Sequence, residues 1–124
     1  MVDLSKAYGL LKSAKALFDR GDVAGVAGLA YQAFEAAVIA LGKATGEDQG
    51  DHLLRRKKAE EILGASRETM RKLWSYRGID FYGNEKIGGR EKKLTLEEIK
   101  ESVDIVEKMI GQTEALLTEW KQKK

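Results

Sequence analysis

The stretch VAGVAGLAYQAFEAAVIAL, residues 23–41, contains only two polar side chains, Gln32 and Glu35. A helix over these residues is apolar on nearly all of its faces, and such a helix is normally buried at the centre of a helical domain. A membrane-spanning helix is disfavoured, because Ala and Gly supply much of the run and Glu35 would carry a charge into the bilayer. The stretch therefore predicts a central helix around which the rest of the chain packs.

The segment before this helix has the spacing of an amphipathic helix. Apolar residues recur every three or four positions over residues 3–20, which predicts a first helix. These apolar residues are Leu4, Ala7, Tyr8, Leu11, Ala14, Leu17 and Phe18. Gly21 is expected to end the helix, and Asp22 is expected to cap the next one.

The last segment carries the clearest helical signature in the chain. Thr95 followed three residues later by Glu98 forms a capping box, which stabilises a helix by about 1 kcal/mol. A seam of residues spaced by three and four follows, with Met109 and Leu116 beside it: Leu96, Ile99, Val103, Val106, Ile110, Thr113, Leu117 and Trp120. Roughly 26 residues at 1.5 Å each span about 39 Å. Such a helix either clamps the whole bundle or projects its seam into a second subunit.

The middle of the chain is predicted to hold two shorter helices and two loops. Residues 42–51 are polar and glycine-rich, which favours a loop. A helix is expected over residues 51–63, with a break at Gly64 and a new cap at Ser66. Residues 83–93 are read as a flexible connection or a short hairpin.

Composition sets the wider bounds. The 124 residues, 43% of them hydrophobic, fit one domain over residues 1–124, and the absence of proline favours helices. We therefore expect an all-α fold, an up-and-down antiparallel bundle of four to five helices. The 22 Lys and Arg residues nearly balance the 20 Asp and Glu residues, so the chain has no overall electrostatic field that would mark it as a nucleic-acid or membrane binder. With no cysteine and one histidine, neither a metal nor another cofactor is expected, and the sequence pattern predicts a cytoplasmic protein without membrane association.

The segment LWSYRGIDFYGN, residues 73–84, places an arginine among four aromatic residues. On a continuous helix Arg77 extends the apolar face of its neighbours. These neighbours are Met70, Leu73 and Trp74. An arginine that faces a core needs a partner, and Glu35 is the candidate for a buried ion pair. A position at the rim of the core and a position in a cleft between subunits remain open alternatives.

These features together resemble the HEPN superfamily: a bundle of this size, the Ala-rich segment LAYQAFEAAVIAL (29–41), and an arginine near the end of the penultimate helix. Its members are four- or five-helix up-and-down bundles that commonly dimerise. Ribonuclease members carry an arginine followed, after four to six residues, by a histidine, and the two copies meet in a cleft between subunits. Other members bind nucleotide or RNA and partner nucleotidyltransferases. The resemblance implies a homodimer in which Arg77 holds a phosphate, with a nucleotidyltransferase-type partner or a toxin–antitoxin role.

The sequence departs from this motif at the histidine. Tyr82 follows Arg77 after four residues, Asn84 follows after six, and the single histidine, His52, lies upstream. A tyrosine with a pKa near 10 is a poor general base at pH 7, and asparagine carries no proton. The resemblance therefore implies binding more than cleavage. A residual metal-independent ribonuclease activity stays open, with Arg77, Tyr82 and Asn84 as its catalytic residues.

The expected nucleotide-binding residues are Arg77, Asp80, Lys86 and Arg90. The glycines of residues 83–90 lack the Gly-Lys-Ser/Thr ending of a nucleoside triphosphate loop, so a mobile connection or short hairpin is expected there. Its cations are available to touch a polyanion: Lys86, Arg90, Lys92 and Lys93. Cations beside Phe81 and Tyr82 are typical of single-stranded RNA sites, although the aromatic residues can also simply close the end of the core.

A protein-interaction bundle is the alternative function. ALFDRGDVAGVAGLAYQAFEAA, residues 16–37, has the layout of a single tetratricopeptide-like hairpin, whereas stacked repeats need about three copies.

Overall fold

A computed structural model describes residues 4–45, 57, 60–61, 64, 67–82, 85–87, 90–92 and 94–122. In this part of the chain four helices form an all-α bundle, as predicted: α1 (Ser5–Asp19), α2 (Val26–Thr45), α3 (Arg67–Tyr82) and α4 (Leu96–Gln122). A small hairpin of β1 (Glu85–Ile87) and β2 (Arg90–Lys92) precedes α4. The helix expected over residues 51–63 and its neighbour Ser66 lie largely outside the described residues. Lys57, Glu60 and Glu61 are helical, and Gly64 has a left-handed φ of 68°, which fits the expected break.

The second helix is the centre of the bundle, as its apolar sequence predicts. Helix α2 packs against each of the other three helices, and over residues 26–43 only Gln32 and Lys43 are exposed. Its buried alanines let neighbouring helices approach closely on several sides: Ala27, Ala30, Ala33, Ala37 and Ala40. Side chains from all four helices meet in one hydrophobic core around α2.

The connection between α1 and α2 ends the first helix with a Schellman turn. Gly21 has a φ of 77°, its N–H donates to the Phe18 carbonyl at 3.0 Å, and the Asp22 N–H donates to Leu17 at 3.0 Å. The predicted stop at Gly21 is confirmed. The prediction that Asp22 caps α2 is wrong, because α2 begins at Val26 after a second turn in which Gly25 has a φ of 85°.

The capping box at the start of α4 is present. The Thr95 N–H donates to Glu98 Oε1 at 3.0 Å, and the Glu98 N–H donates to Thr95 Oγ1 at 3.1 Å. The side chain of Trp120, at the end of the predicted seam, lies outside the described residues. Six other residues of the seam are buried within the chain: Ile99, Val103, Val106, Ile110, Thr113 and Leu117. The prediction that Leu96 belongs to the buried seam is wrong. Leu96 is 62% exposed, because it is the first residue of α4 and lies before the helix reaches the core. The seam thus clamps the bundle, and the length of α4 does not require a second subunit.

Side-chain contacts show that the helices alternate in direction. Tyr8 of α1 contacts Glu114 of α4, and Lys15 contacts Glu107 with Nζ to Oε2 at 2.5 Å. The residue numbers of the contacting residues increase along α1 and decrease along α4, so the two helices are antiparallel. The short connection reverses α2 relative to α1. On α3, Lys72 contacts Glu101 and Tyr76 lies near Glu98, so α3 and α4 are antiparallel as well, which is the up-and-down order predicted from the sequence.

None of the described helices combines the length and the apolar character needed to cross a bilayer.

Candidate functional site

On the face of α3 that meets the core, every third side chain is buried. The buried side chains are Met70, Leu73, Tyr76 and Ile79. Trp74 and Arg77 lie beside this stripe and are half-buried. The sequence prediction included Trp74 and Arg77 in the central stripe but missed Tyr76 and Ile79. A strict three-residue spacing drifts around a helix of 3.6 residues per turn, so the buried face of α3 turns gradually along its length.

The guanidinium of Arg77 packs against two aromatic rings. Its Cζ lies 4.7 Å from the centroid of the Trp74 ring and 5.9 Å from that of Tyr31 on α2. The two ring centroids are themselves 5.6 Å apart and meet edge to face at 68°. The three distances form a nearly equilateral triangle, so the two rings lie in neighbouring directions as seen from the guanidinium carbon. We call Trp74 and Tyr31 the aromatic wall of Arg77.

The aromatic wall continues into the core of α2. Phe34 meets Tyr31 edge to face, with ring centroids 5.2 Å apart, and both side chains are almost fully buried. Cation–π contacts of this kind contribute roughly 0.5–1 kcal/mol at exposed sites and about 2 kcal/mol when water is excluded. The wall therefore gives Arg77 a defined place at the edge of the core, which explains part of why a charge is tolerated among these aromatic residues.

The predicted partner, Glu35, is buried on the same helix as Tyr31. Glu35 is 8% exposed and follows Tyr31 by one helical turn, so the two residues share a face of α2. Since Arg77 contacts Tyr31, Glu35 occupies a turn of α2 adjacent to that contact. The ion pair between Glu35 and Arg77 stays a prediction, and so does the cleft between subunits.

A second polar cluster joins α3 to the start of α4. Lys72 Nζ lies 2.7 Å from Glu101 Oε1, where both side chains are partly exposed. Burial raises the pKa of the Tyr76 hydroxyl, and the negative charges of Glu101 and Glu98 raise it further. Tyr76 and Arg77 are consecutive, so this cluster ties the helical turn that carries Arg77 to the capped end of α4.

The other predicted site residues cluster near the end of α3 and in the hairpin. The backbone of Asp80 and Tyr82 belongs to the last turn of α3, but their side chains and all of Asn84 lie outside the described part of the structure. Position 82 is about 140° around the helix axis from position 77.

The two cations expected in the hairpin are not cross-strand partners. The register pairs Lys86 with Glu91 and Arg90 with Ile87. Their side chains also lie beyond the described residues, so their distances to Arg77 stay untested. Among the residues that the structure does describe, no group of three His, Asp or Glu side chains could hold a metal ion.

A groove of about 460 Å³ between α1 and the second half of α4 was missed by the sequence reasoning. Its lining consists of Tyr8, Gly111, Glu114, Ala115, Thr118 and Glu119. Tyr8 was predicted to face the core but is 40% exposed, and its hydroxyl donates to Glu114 Oε2. This hydrogen bond, with burial and the charge of Glu114, raises the pKa of Tyr8 to about 12.

Comparisons with protein families and with curated proteins found no match to this chain. No protein-family model matches the chain, and the search of curated proteins finds no match either. The resemblance to the HEPN superfamily therefore rests on the sequence features alone.

Proposed function

We propose that the chain is a HEPN-like helical bundle that binds the phosphate of a nucleotide or an RNA around Arg77. The observation that carries the proposal is the position of Arg77 near the end of α3, half-buried and held against Trp74 at 4.7 Å. The resemblance assigns phosphate binding to an arginine at this place. Its helical surroundings agree with that assignment, since the residue lies at the edge of an all-α core.

The chemistry of the side chain supports this proposal. A guanidinium stays charged at neutral pH and presents N–H donors in a planar fork that matches phosphate oxygens. The adjacent rings exclude water from one side of Arg77, which lowers the local dielectric constant and strengthens hydrogen bonds to an anion. Asp80, Lys86 and Arg90 belong to the same proposed site, with the two cations contributing charge from the hairpin.

The finer functional assignments belong to this proposal as well. The chain would act in the cytoplasm as a homodimer, with a nucleotidyltransferase-type partner or as a toxin–antitoxin component. Residual ribonuclease activity would use Arg77 with Tyr82 and Asn84 at the cleft between subunits. Light scattering at tens of micromolar tests the dimer, and a monomer at that concentration would remove the cleft.

The binding proposal is tested by fluorescence polarisation of a labelled single-stranded RNA. The wild type is compared with Arg77→Ala and with the matched control Arg71→Ala, which removes an exposed arginine from the same helix. We expect Arg77→Ala to lose binding and Arg71→Ala to keep it, and a denaturing gel of the same mixtures reports cleavage. Equal binding by the two variants would show that Arg77 is not the phosphate site.

One observation favours the protein-interaction alternative. Helices α1 and α2 form a hairpin closed by the Gly21 turn, and the adjacent α1–α4 groove offers an outer surface. A chain that binds no RNA but co-purifies with a defined partner, and loses that partner on Ala115→Arg in the groove, would support this function.

A further inference from the structure

The long side chain of Arg77 must be ordered before it can bind a phosphate strongly. An arginine side chain has several rotatable bonds, and a mobile arginine loses their conformational entropy when it binds a ligand. A residue already held in place loses less, so its affinity for the ligand is higher. Contacts that fix Arg77 before the ligand arrives therefore matter as much as the donors themselves.

The structure provides such contacts from two different helices. Trp74 precedes Arg77 by three residues on α3, and Tyr31 approaches from α2. Tyr31 is itself immobilised, because it is 1% exposed and packs edge to face against Phe34. Together the two rings restrict the positions that the guanidinium can occupy before a ligand binds.

We propose that Trp74 is a positioning residue for phosphate binding by Arg77, with Tyr31 as the fixed backing of the same wall. This inference rests on the proposed function and adds a residue to its site. Trp74 touches the guanidinium and acts through it. The ligand group is an RNA phosphate, whose oxygens accept the N–H donors of the guanidinium.

The same geometry makes Trp74 a reporter of the site. The chain contains two tryptophans, Trp74 and Trp120. In a Trp120→Phe protein all tryptophan emission comes from a ring 4.7 Å from the guanidinium carbon. An anion that binds Arg77 changes the electric field at this ring. Inorganic triphosphate should therefore shift or quench the emission of Trp120→Phe, and the added Arg77→Ala substitution should abolish that response.

The decisive experiment is a double-mutant cycle on RNA affinity, read by polarisation with a labelled single-stranded oligouridylate. The variants are Trp74→Leu, Arg77→Lys and their combination, with Trp74→Phe as the conservative variant that keeps an aromatic face. Circular dichroism and thermal unfolding establish that each variant is folded. We expect Trp74→Leu to weaken binding about three- to tenfold and Trp74→Phe to restore most of it. In the Arg77→Lys background, Trp74→Leu should have no further effect.

The outcomes separate this inference from the function on which it rests. If Arg77→Lys weakens binding but Trp74→Leu does not, or if the two effects add, the positioning role is refuted while phosphate binding by Arg77 stands. An emission of Trp120→Phe that stays unchanged when polarisation shows saturation with RNA also refutes it, and this test needs no substitution at Trp74. If the wild type binds neither RNA nor triphosphate, the proposed function and the inference both fail.

Discussion

Substituting Ala33 by leucine tests whether α2 is packed on all sides. Ala33 has no exposed surface and lies at the centre of the buried helix, so three extra carbon atoms have no space to enter. Overpacking a well-filled core costs typically about 1–3 kcal/mol, and we expect a value near the top of this range because rigid helices surround α2. For a chain of 124 residues, 1 kcal/mol corresponds to about 4 °C in Tm, so the melting temperature should fall by about 8–12 °C.

The matched control for this substitution is Gln32→Leu. Gln32 is the preceding residue on α2 and is exposed, so the same leucine adds no strain there. Urea unfolding followed by circular dichroism measures the free energy of unfolding of both variants, and we expect Gln32→Leu to stay within about 0.5 kcal/mol of the wild type. If the two leucines have equal effects, α2 is not buried on the side of Ala33 and the packing described above is wrong.

Three further predictions concern local features of the helices. Gly21→Ala should lower the free energy of unfolding by about 1 kcal/mol, because the φ of Gly21 is 77°. Gly9→Ala should raise the free energy of unfolding by about 0.5–1 kcal/mol, because Gly9 lies inside α1 and no atom lies within 4 Å of the added carbon. Changes of the same sign in the two variants would contradict this account. Thr95→Ala should cost about 1 kcal/mol in urea unfolding through loss of the capping box, and an unchanged value would show that the box does not stabilise α4. The pKa of Tyr8 is raised from 10.0 to about 12, so its bond to Glu114 stabilises the fold below pH 10 and is lost as the pH rises through 12. The stability difference between wild type and Tyr8→Phe should thus shrink between pH 9 and pH 12, by no more than about 1 kcal/mol because Tyr8 is partly exposed, and a constant difference would refute the link.

The parts of the fold that could be predicted are those that depend on neighbouring residues. The capping box needs only Thr95 and Glu98, three positions apart, and the structure contains both of its hydrogen bonds. The burial of α2 follows from a composition that leaves hardly any polar face. The turn at Gly21 follows from the one residue type that readily adopts a positive φ.

The features that were missed depend on how the helices are placed against each other. Tyr76 and Ile79 are buried because the contact face of α3 turns along the helix, which its own sequence does not reveal. Tyr8 is exposed although its spacing matches the core face, since its hydroxyl reaches a carboxylate on α4, 106 residues away in sequence.

The candidate site also combines residues that the sequence could identify with one that only helix packing reveals. The sequence identified Arg77 as a charge that needs an explanation, and it identified Trp74 on the same face. The second ring, Tyr31, comes from α2, 46 positions earlier, and no local pattern could connect it with Arg77. Only the packing of α3 on α2 brings the aromatic wall together.

The most direct test of the central claim is the salt dependence of RNA binding. Each phosphate contact to a single strand adds about 0.7 to the slope of log affinity against log salt concentration. If Arg77 holds a phosphate, Arg77→Ala should bind more weakly and its slope should be about 0.7 shallower than that of the wild type, while Arg71→Ala keeps the wild-type slope. Parallel lines for all three proteins would contradict the claim and would leave Arg77 with a purely structural role on the aromatic wall.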